Sequence, residues 1–388
     1  MTTFFLNRLA TEPHALAFAG QSTPWPVALA DQTTDPSLDE ALRGHVAAAG
    51  RLLTPVAADL LATTGRPVDL FGFAPNPARL GAAADATASV EGVALTQLGA
   101  LLDLEHLGYS VAQAKPLAVL GHSQGVLAVH MTRAIEAAGS IEAAGKTLNE
   151  ILAVAALIGA AGTRRVRELG LNPKYGEASP MLSVKGATRE QVEALVARVN
   201  NARGPISIAV TNSDNHHVLS GYPEDLAAFA LEAEREHQHQ AKLREQKLHG
   251  GTVFNPTLEY LEVTLPFHSP LMADAVEQTV AWAGACGFDQ KRTRALAEEV
   301  LLNHVDWNAR VKALFDDADP SKLWIVDLGP GNTLGKLIGN VVQGTGIGVV
   351  EATTLAERST LSMLESEPER TQNLSLIHIS EPTRLQLI

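Results

Sequence analysis

The feature that most constrains this chain is the ten-residue run Pro116 to Gly125, PLAVLGHSQG. Leu117 to Leu120 is an unbroken apolar run and predicts a buried strand. Val126 to Ala137 carries apolar residues at helical spacing and predicts a helix packed on a sheet. Between them, Gly121-His122-Ser123-Gln124-Gly125 must turn the chain sharply. A strand, G-x-S-x-G and a helix in immediate succession form a nucleophile elbow. The residue types follow from sterics. At such a turn the residues two before and two after the serine pass close to neighbouring backbone, where only glycine fits. Ser123 is thereby presented at the carboxyl end of its strand. The backbone N–H of Gln124 points to where an oxyanion would form.

A serine hydroxyl at neutral pH needs a base, and histidine is the natural one. The chain has 13 histidines. His268 stands out because it lies in Pro266-Phe-His-Ser-Pro270, where two prolines restrict the backbone on either side. His304 is a second candidate. His122 adjoins the serine, but at an elbow it would point away from it. His237 and His239, in the charged stretch Glu232 to His249, are two residues apart and face different sides of a helix, so they read as solvated surface and not as a metal pair.

At 388 residues the chain can bury a large core in one or two domains. A net charge of −13 argues against a broad nucleic-acid surface. Cys286 is the sole cysteine, which precludes an internal disulfide and suits a reducing compartment. No run reads as about 20 consecutive apolar residues, and no signal pattern opens the chain. The expected setting is therefore soluble and cytoplasmic, with no membrane partner.

Taken in order, Ala15 to Ala19 reads as a short strand, followed by the loop Gly20-Gln-Ser-Thr-Pro-Trp25. Asp39 to Thr63 and Ser89 to Leu107 read as helices, with Gly108 closing the second. Residues 76–80 read as a loop, and Thr147 to Arg165 as an apolar helix. From Pro180 the texture changes. Strand 181–184, helix 188–199, strands 206–210 and 217–220, helix 223–246 and strand 258–265 give β-α-β-β-α-β, a ferredoxin-like order. Residues 301–307 read as a loop leading into a helix. Trp324 to Leu328 is a strand, Gly329 to Leu334 a turn, residues 335–342 a helix, and Gly348 to Glu351 a last strand. The expected organisation is a discontinuous α/β core over residues 1–179 and 266–364, with an insertion over 180–265. Residues 365–388 lie outside the domain. From about residue 372 they read as translated foreign sequence, so the natural chain is expected to continue differently.

Six motifs occur in order: FAGQS, GHSQG, VTNSDNHHVLSG, PFHSPLM, LLNHVDW and DLGPGNTL. Together, over about residues 13–355, they resemble the acyl-CoA:acyl-carrier-protein transacylase family, the malonyl and acetyl transferases of fatty acid and polyketide synthesis. The resemblance implies an α/β-hydrolase-like core with an inserted ferredoxin-like subdomain. It implies Ser123 as nucleophile and His268 as base. The oxyanion hole would come from the backbone N–H groups of Gln21 and Gln124, and the carbonyl of Asn303 would orient the histidine. It further implies acyl-CoA as substrate, no permanently bound cofactor or metal, and the phosphopantetheine thiol of an acyl carrier protein as acceptor.

Two departures qualify the resemblance. Val126 stands where the family usually has Glu. Malonyl-selective members carry an Arg in the helix after the elbow, and alignment places Ile158 there. Without a guanidinium, a substrate carboxylate loses its bidentate partner. The expected acyl group is therefore uncharged, acetyl first. That resembles the N-terminal acetyltransferase domain of a type I fatty acid synthase, actinobacterial or fungal-like, in which the partners are the other synthase domains. The alternatives are a malonyl-CoA transacylase, a serine thioesterase or esterase, and a catalytically idle docking module.

Overall fold

The structure is a computed structural model. It describes residues 4–65, 85–171, 178–200, 205–246, 253–317, 319–365 and 367–368. The loop reading at 76–80 and nearly all of the tail lie outside the described residues.

Two sheets organise the fold. The first holds β1 (His14–Phe18), β2 (Ala118–Gly121), β8 (Trp324–Asp327) and β9 (Gly348–Glu351), in the order β2-β1-β8-β9. All three pairings are parallel, with Phe18 opposite Gly121 and Ala17 opposite Asp327. Parallel strands need covering on both faces. Among the helices that cover them are α1 (Ala86–His106), α2 (Val126–Ala138) and α3 (Ile141–Glu168), which pack on one another. The carboxyl ends of β1 and β2 meet at the elbow, so topology alone brings Phe18-Ala19-Gly20 beside Ser123.

The second sheet holds β3 (Met181–Lys185), β4 (Ser207–Ser213), β5 (His216–Ser220) and β6 (Thr257–Tyr260), in the order β6-β3-β5-β4. With α4 (Arg189–Asn200) and α5 (Pro223–Glu245) this is the ferredoxin-like arrangement. Side chains alternate along each strand. Leu182, Val184 and Leu219 face α4 and α5 and build a small separate core with Val192, Leu195, Leu226 and Phe229. Met181, Ser183, Lys185, Asn212, His216 and Val218 face the other way.

Several elements differ from the sequence reading for identifiable reasons. The helix expected at 39–63 is two helices, Pro36–Leu52 and Ala57–Thr64, separated by a 3-10 turn at Thr54–Val56. Pro55 supplies no N–H for a continuous helix. Helix α3 begins six residues earlier than expected, because Ser140 caps it by accepting from the Ala143 N–H. Its apolar middle makes it long enough to cross a membrane by composition, with a mean hydropathy of 1.3 over 18 residues; 67% of that stretch is buried inside the protein. Strand β6 ends at Tyr260, not at 265. Residues 301–307 are not simply a loop into a helix: Val305–Asp306 forms β7, which pairs in parallel with β4 and extends the second sheet.

Candidate active site

β2 ends at Gly121, a single 3-10 turn spans Ser123–Gly125, and α2 starts at Val126. Ser123 holds φ at +52°, in the left-handed region that β-carbon-bearing residues avoid. The flanking glycines are there for space. A Cβ on Gly121 would come 2.5 Å from the Gly125 carbonyl carbon, and one on Gly125 would strike the Phe18 carbonyl oxygen. Gly20 is pressed against the elbow in the same way. A Cβ there would lie 2.7 Å from the His122 carbonyl oxygen and 2.9 Å from the Ser123 Cβ.

The Ser123 hydroxyl donates to His268 Nε2 at 2.7 Å. His268 Nδ1–H donates to the Asn303 carbonyl at 2.8 Å. The second bond holds the tautomer that leaves Nε2 free to accept. His268 also sits at positive φ, +56°, so both partners occupy strained backbone, costing about 1–3 kcal/mol each. Pro266 and Pro270 flank it, and the Ser269 hydroxyl accepts the Leu271 N–H to start the next turn. His268 is 2% exposed. Burial pushes its pKa down to about 3, helped by His122, His304 and Arg310 and opposed by the bond to Asn303. The ring is therefore neutral near pH 7, the form a base requires.

The side-chain amide of Gln21 donates to the side-chain carbonyl of Gln124, whose amide donates to the Val90 carbonyl on α1. These bonds fix the Gly20-Gln21 loop beside the elbow, with the backbone of Gln124 3.3 Å from the Gly20 Cβ position.

The other sequence candidates fall elsewhere. His122 donates from Nε2 to Asn212 Oδ1 at 2.7 Å and stacks edge-on against Trp307, with ring centroids 5.2 Å apart. His304 is exposed and bonds the Ile208 carbonyl at 3.0 Å, so it does not serve Ser123. His237 bonds the Phe254 carbonyl. Cys286 is half-buried in the core margin, its pKa raised by burial. Ile158 is fully buried on α3, and the adjacent Gly159 lies where α3 crosses α1, against the Ala86 carbonyl. Ile158 is not brought to the cleft wall.

Two contributors went unread in the sequence. Asn212 lies within VTNSDNHHVLSG, and only its bond to His122 shows its place. Arg310, on α6 (Trp307–Lys312), donates from Nη1 to the Gly121 carbonyl at 3.0 Å, behind the elbow. No spacing rule links positions 121 and 310.

A cleft of about 320 Å³ opens over Ser123, between the elbow and the inner face of the second sheet. Phe267, Leu261, Val263, Leu334 and Leu337 form its apolar side; Ser183, Asn212 and His216 form its polar side. Leu334 and Leu337 come from α7 (Thr333–Val342), whose start is held by Asp327. The buried Asp327 carboxylate accepts the N–H groups of Gly329 and Gly335 at 2.9 and 2.7 Å.

A parallel sheet with its serine elbow, joined to a ferredoxin-like sheet that covers the serine, is the transacylase fold. Comparison with known proteins agrees. Residues 180–260 match the family described as the fatty acid synthase central AT domain. The fatty acid synthase beta subunit TOXC of Cochliobolus carbonum is 26% identical over 270 residues, 60% of this chain and 12% of that subunit. The fatty acid synthase subunit beta of Saccharomyces cerevisiae is 28% identical over 217 residues, 49% of this chain and 10% of that protein. The chain thus spans about a tenth of the length of these relatives. Among solved structures, an acyl carrier protein S-malonyltransferase from Vibrio cholerae superposes with a TM-score of 0.59 at 16% identity, over 90% of this chain and 99% of that one. In fold and in sequence the chain is similar to acyltransferases of the fatty acid synthase type.

Proposed function

We propose that this chain is an acyl-CoA:acyl-carrier-protein S-acyltransferase that works by a ping-pong route through an acyl-serine, with acetyl as its preferred group. The observation that carries the reading is the unbroken bond series from Ser123 through His268 to the Asn303 carbonyl. In the first half-reaction His268 Nε2 takes the hydroxyl proton as Ser123 Oγ attacks the thioester carbonyl. The tetrahedral oxyanion is held by the backbone N–H groups of Gln21 and Gln124, each contributing about 3 kcal/mol. The C–S bond breaks, the imidazolium returns its proton to the departing sulfur, and CoA leaves as the thiol. In the second half-reaction the phosphopantetheine thiol of the carrier protein gives its proton to His268 and attacks the acyl-serine carbonyl; the bond to Ser123 Oγ breaks, and the imidazolium returns the proton to Oγ, restoring the free serine. No cofactor or metal enters either step. A carbonyl in place of a third acidic residue suffices, since its task is to fix the tautomer.

The preference for an uncharged acyl group rests on the lining of the cleft; Ile158, buried on α3 away from the cleft wall, does not bear on it. Among the described residues lining the cleft, the one Lys or Arg is Lys185, on β3, two strands away from Asn212 on β4. The solved neighbour is named a malonyltransferase, so substrate choice is the finer part of the proposal. The carrier protein and the other domains of a fatty acid synthase are the proposed partners, in the cytoplasm where acyl-CoA is available. Transfer over hydrolysis requires that water be kept from the acyl-serine, and the apolar side of the cleft, Leu261, Val263, Phe267, Leu334 and Leu337, is the part of the lining that serves this.

The test is intact-protein mass spectrometry after brief incubation with acetyl-CoA or malonyl-CoA in parallel. Acetyl addition on Ser123, with little malonyl, is expected. Rapid CoA release without an adduct would make the protein a thioesterase. Equal malonyl loading would overturn the acetyl preference and leave the transferase reading intact.

A further inference from the structure

The polar side of the cleft does not stop at the dyad. From His122, beside the nucleophile, Asn212 accepts at 2.7 Å. Asn212 Nδ2 lies 3.5 Å from His216 Nε2, which meets the Ser183 hydroxyl at 3.0 Å. Burial and the nearby Lys185 ammonium hold the His216 pKa down to about 4, so this ring is a neutral hydrogen-bonding group. Lys185 is next on the same face of β3 and pairs in register with His216 on β5. It lines the cleft and is about half exposed, and its ammonium bonds Glu259 Oε2 at 3.0 Å. Asn212 and Lys185 lie two strands apart, roughly 10 Å. In phosphopantetheine the thiol sulfur and the phosphorus are separated by about 13 bonds, roughly 15 Å when extended. Ser123, Asn212, His216, Ser183 and Lys185 line one cleft, and an arm of that length is comparable with the row of polar side chains between them.

We propose that Lys185 is the phosphate-reading residue of this cleft, exchanging Glu259 for the phosphodiester that ends the phosphopantetheine arm. The assignment rests on the acyl-transfer reading, and it adds a reason why one site serves two substrates. CoA and a carrier protein share nothing beyond this arm and its phosphate. The Lys185–Glu259 pair is exposed on both members, and such pairs are weak, so exchange costs little. A phosphate oxygen offers a charge-assisted bond in its place. Glu259 keeps the empty site from holding a free cation, which would attract carboxylate-bearing ligands to the cleft.

The experiment is calorimetric titration of the purified chain with 4′-phosphopantetheine and with pantetheine, which lacks the phosphate. The wild type is expected to bind the phosphorylated form about 10-fold more tightly. Lys185→Met should abolish that difference and leave pantetheine binding unchanged; Lys185→Arg should restore it, and Glu259→Gln should widen it. Equal affinity for both ligands in the wild type, or a preference that survives Lys185→Met, overturns the assignment. Acyl-serine formation is read separately. A phosphate preference that depends on Lys185, without any acyl-serine, would sink the acyl-transfer reading while leaving the phosphate site in place.

Discussion

The side-chain amide of Gln21 donates to the side-chain carbonyl of Gln124, and Gln124 carries the connection on to the carbonyl of Val90. The two loops whose backbone N–H groups are proposed to hold the oxyanion are therefore fastened to each other and to α1. Gln124→Ala cuts both bonds without touching the backbone donors. Its acylation rate is expected to fall about 10- to 100-fold, the scale of a small misplacement of donors. Binding of CoA should stay near wild type. A single-turnover acylation assay checks this, and a wild-type rate would mean that the backbone alone holds the donors.

The buried position of His268 sets the pH dependence. Its pKa lies near 3 because burial disfavours the imidazolium. Acylation should therefore be flat from pH 8 down to about pH 5, with no acid limb at the ordinary histidine value of about 6.5. The same shift bears on stability. Between about pH 3 and 6.5 the unfolded chain binds a proton here that the folded chain does not, so this group's contribution is lost as pH falls through that window. An acid limb near 6.5 in single-turnover acylation would show a ring more hydrated than the structure has it.

Asp327 works with the opposite sign. It is fully buried, and its pKa is raised to about 7, first by burial, against the pull of the Gly329 and Gly335 N–H groups. Between 3.8 and about 7 the folded chain binds a proton that the unfolded chain has released, so the contribution of this group falls as pH rises. Asp327→Asn keeps the outline and removes the titration, while its NH2 group gives up one of the two acceptors used by the Gly329 and Gly335 N–H groups. Urea denaturation at pH 5 and pH 8 should show the variant gaining on the wild type at the higher pH. A pH-independent difference between the two would place the Asp327 proton elsewhere.

Gly20 is required by its neighbours more than by its own backbone. Gly20→Ala puts a methyl 2.7 Å from the His122 carbonyl oxygen and 2.9 Å from the Ser123 Cβ. Both belong to the elbow, which cannot yield without moving the nucleophile. A stability loss of about 1–3 kcal/mol is expected, together with a fall in acylation larger than that of Gln124→Ala. Thermal unfolding and single-turnover acylation measure the two effects. An unchanged rate would show the loop moving in place of the elbow.

What the sequence disclosed and what it withheld separate along physical lines. Ser123, His268 and the turn glycines were legible because strained backbone restricts residue choice, and prolines and glycines mark it. The ferredoxin-like order was legible from alternating and helical periodicity. The Asn303 carbonyl was legible only through the resemblance, since any residue has one. β7 was hidden because a two-residue strand has no periodicity, and the split at Thr54–Val56 was overridden by the apolar repeat on either side of Pro55. Ile158 came from alignment alone, and its full burial at the crossing of α1 and α3 is a fact of packing. The polar row from Asn212 to Lys185 joins strands through side chains 27 residues apart in sequence, which no local pattern records.

Arg310 is the residue for which sequence gave no signal and geometry gives a definite one. Its Nη1 donates to the Gly121 carbonyl at 3.0 Å, at the last residue of β2 before the elbow turns. Its charge also helps to hold the His268 pKa down. Both effects point the same way when it is removed. Arg310→Met should loosen the end of β2 and lower the acylation rate by about 10-fold. It should also raise the His268 pKa, moving the acid limb of the pH profile upward, because a neighbouring cation no longer opposes the imidazolium. Arg310→Lys keeps the charge and gives up the guanidinium fork. It should leave the acid limb in place while recovering only part of the rate. The pair of variants separates electrostatics from anchoring: a pH profile unmoved in Arg310→Met would confine this residue to a mechanical part, and a rate unmoved in both would remove it from the site.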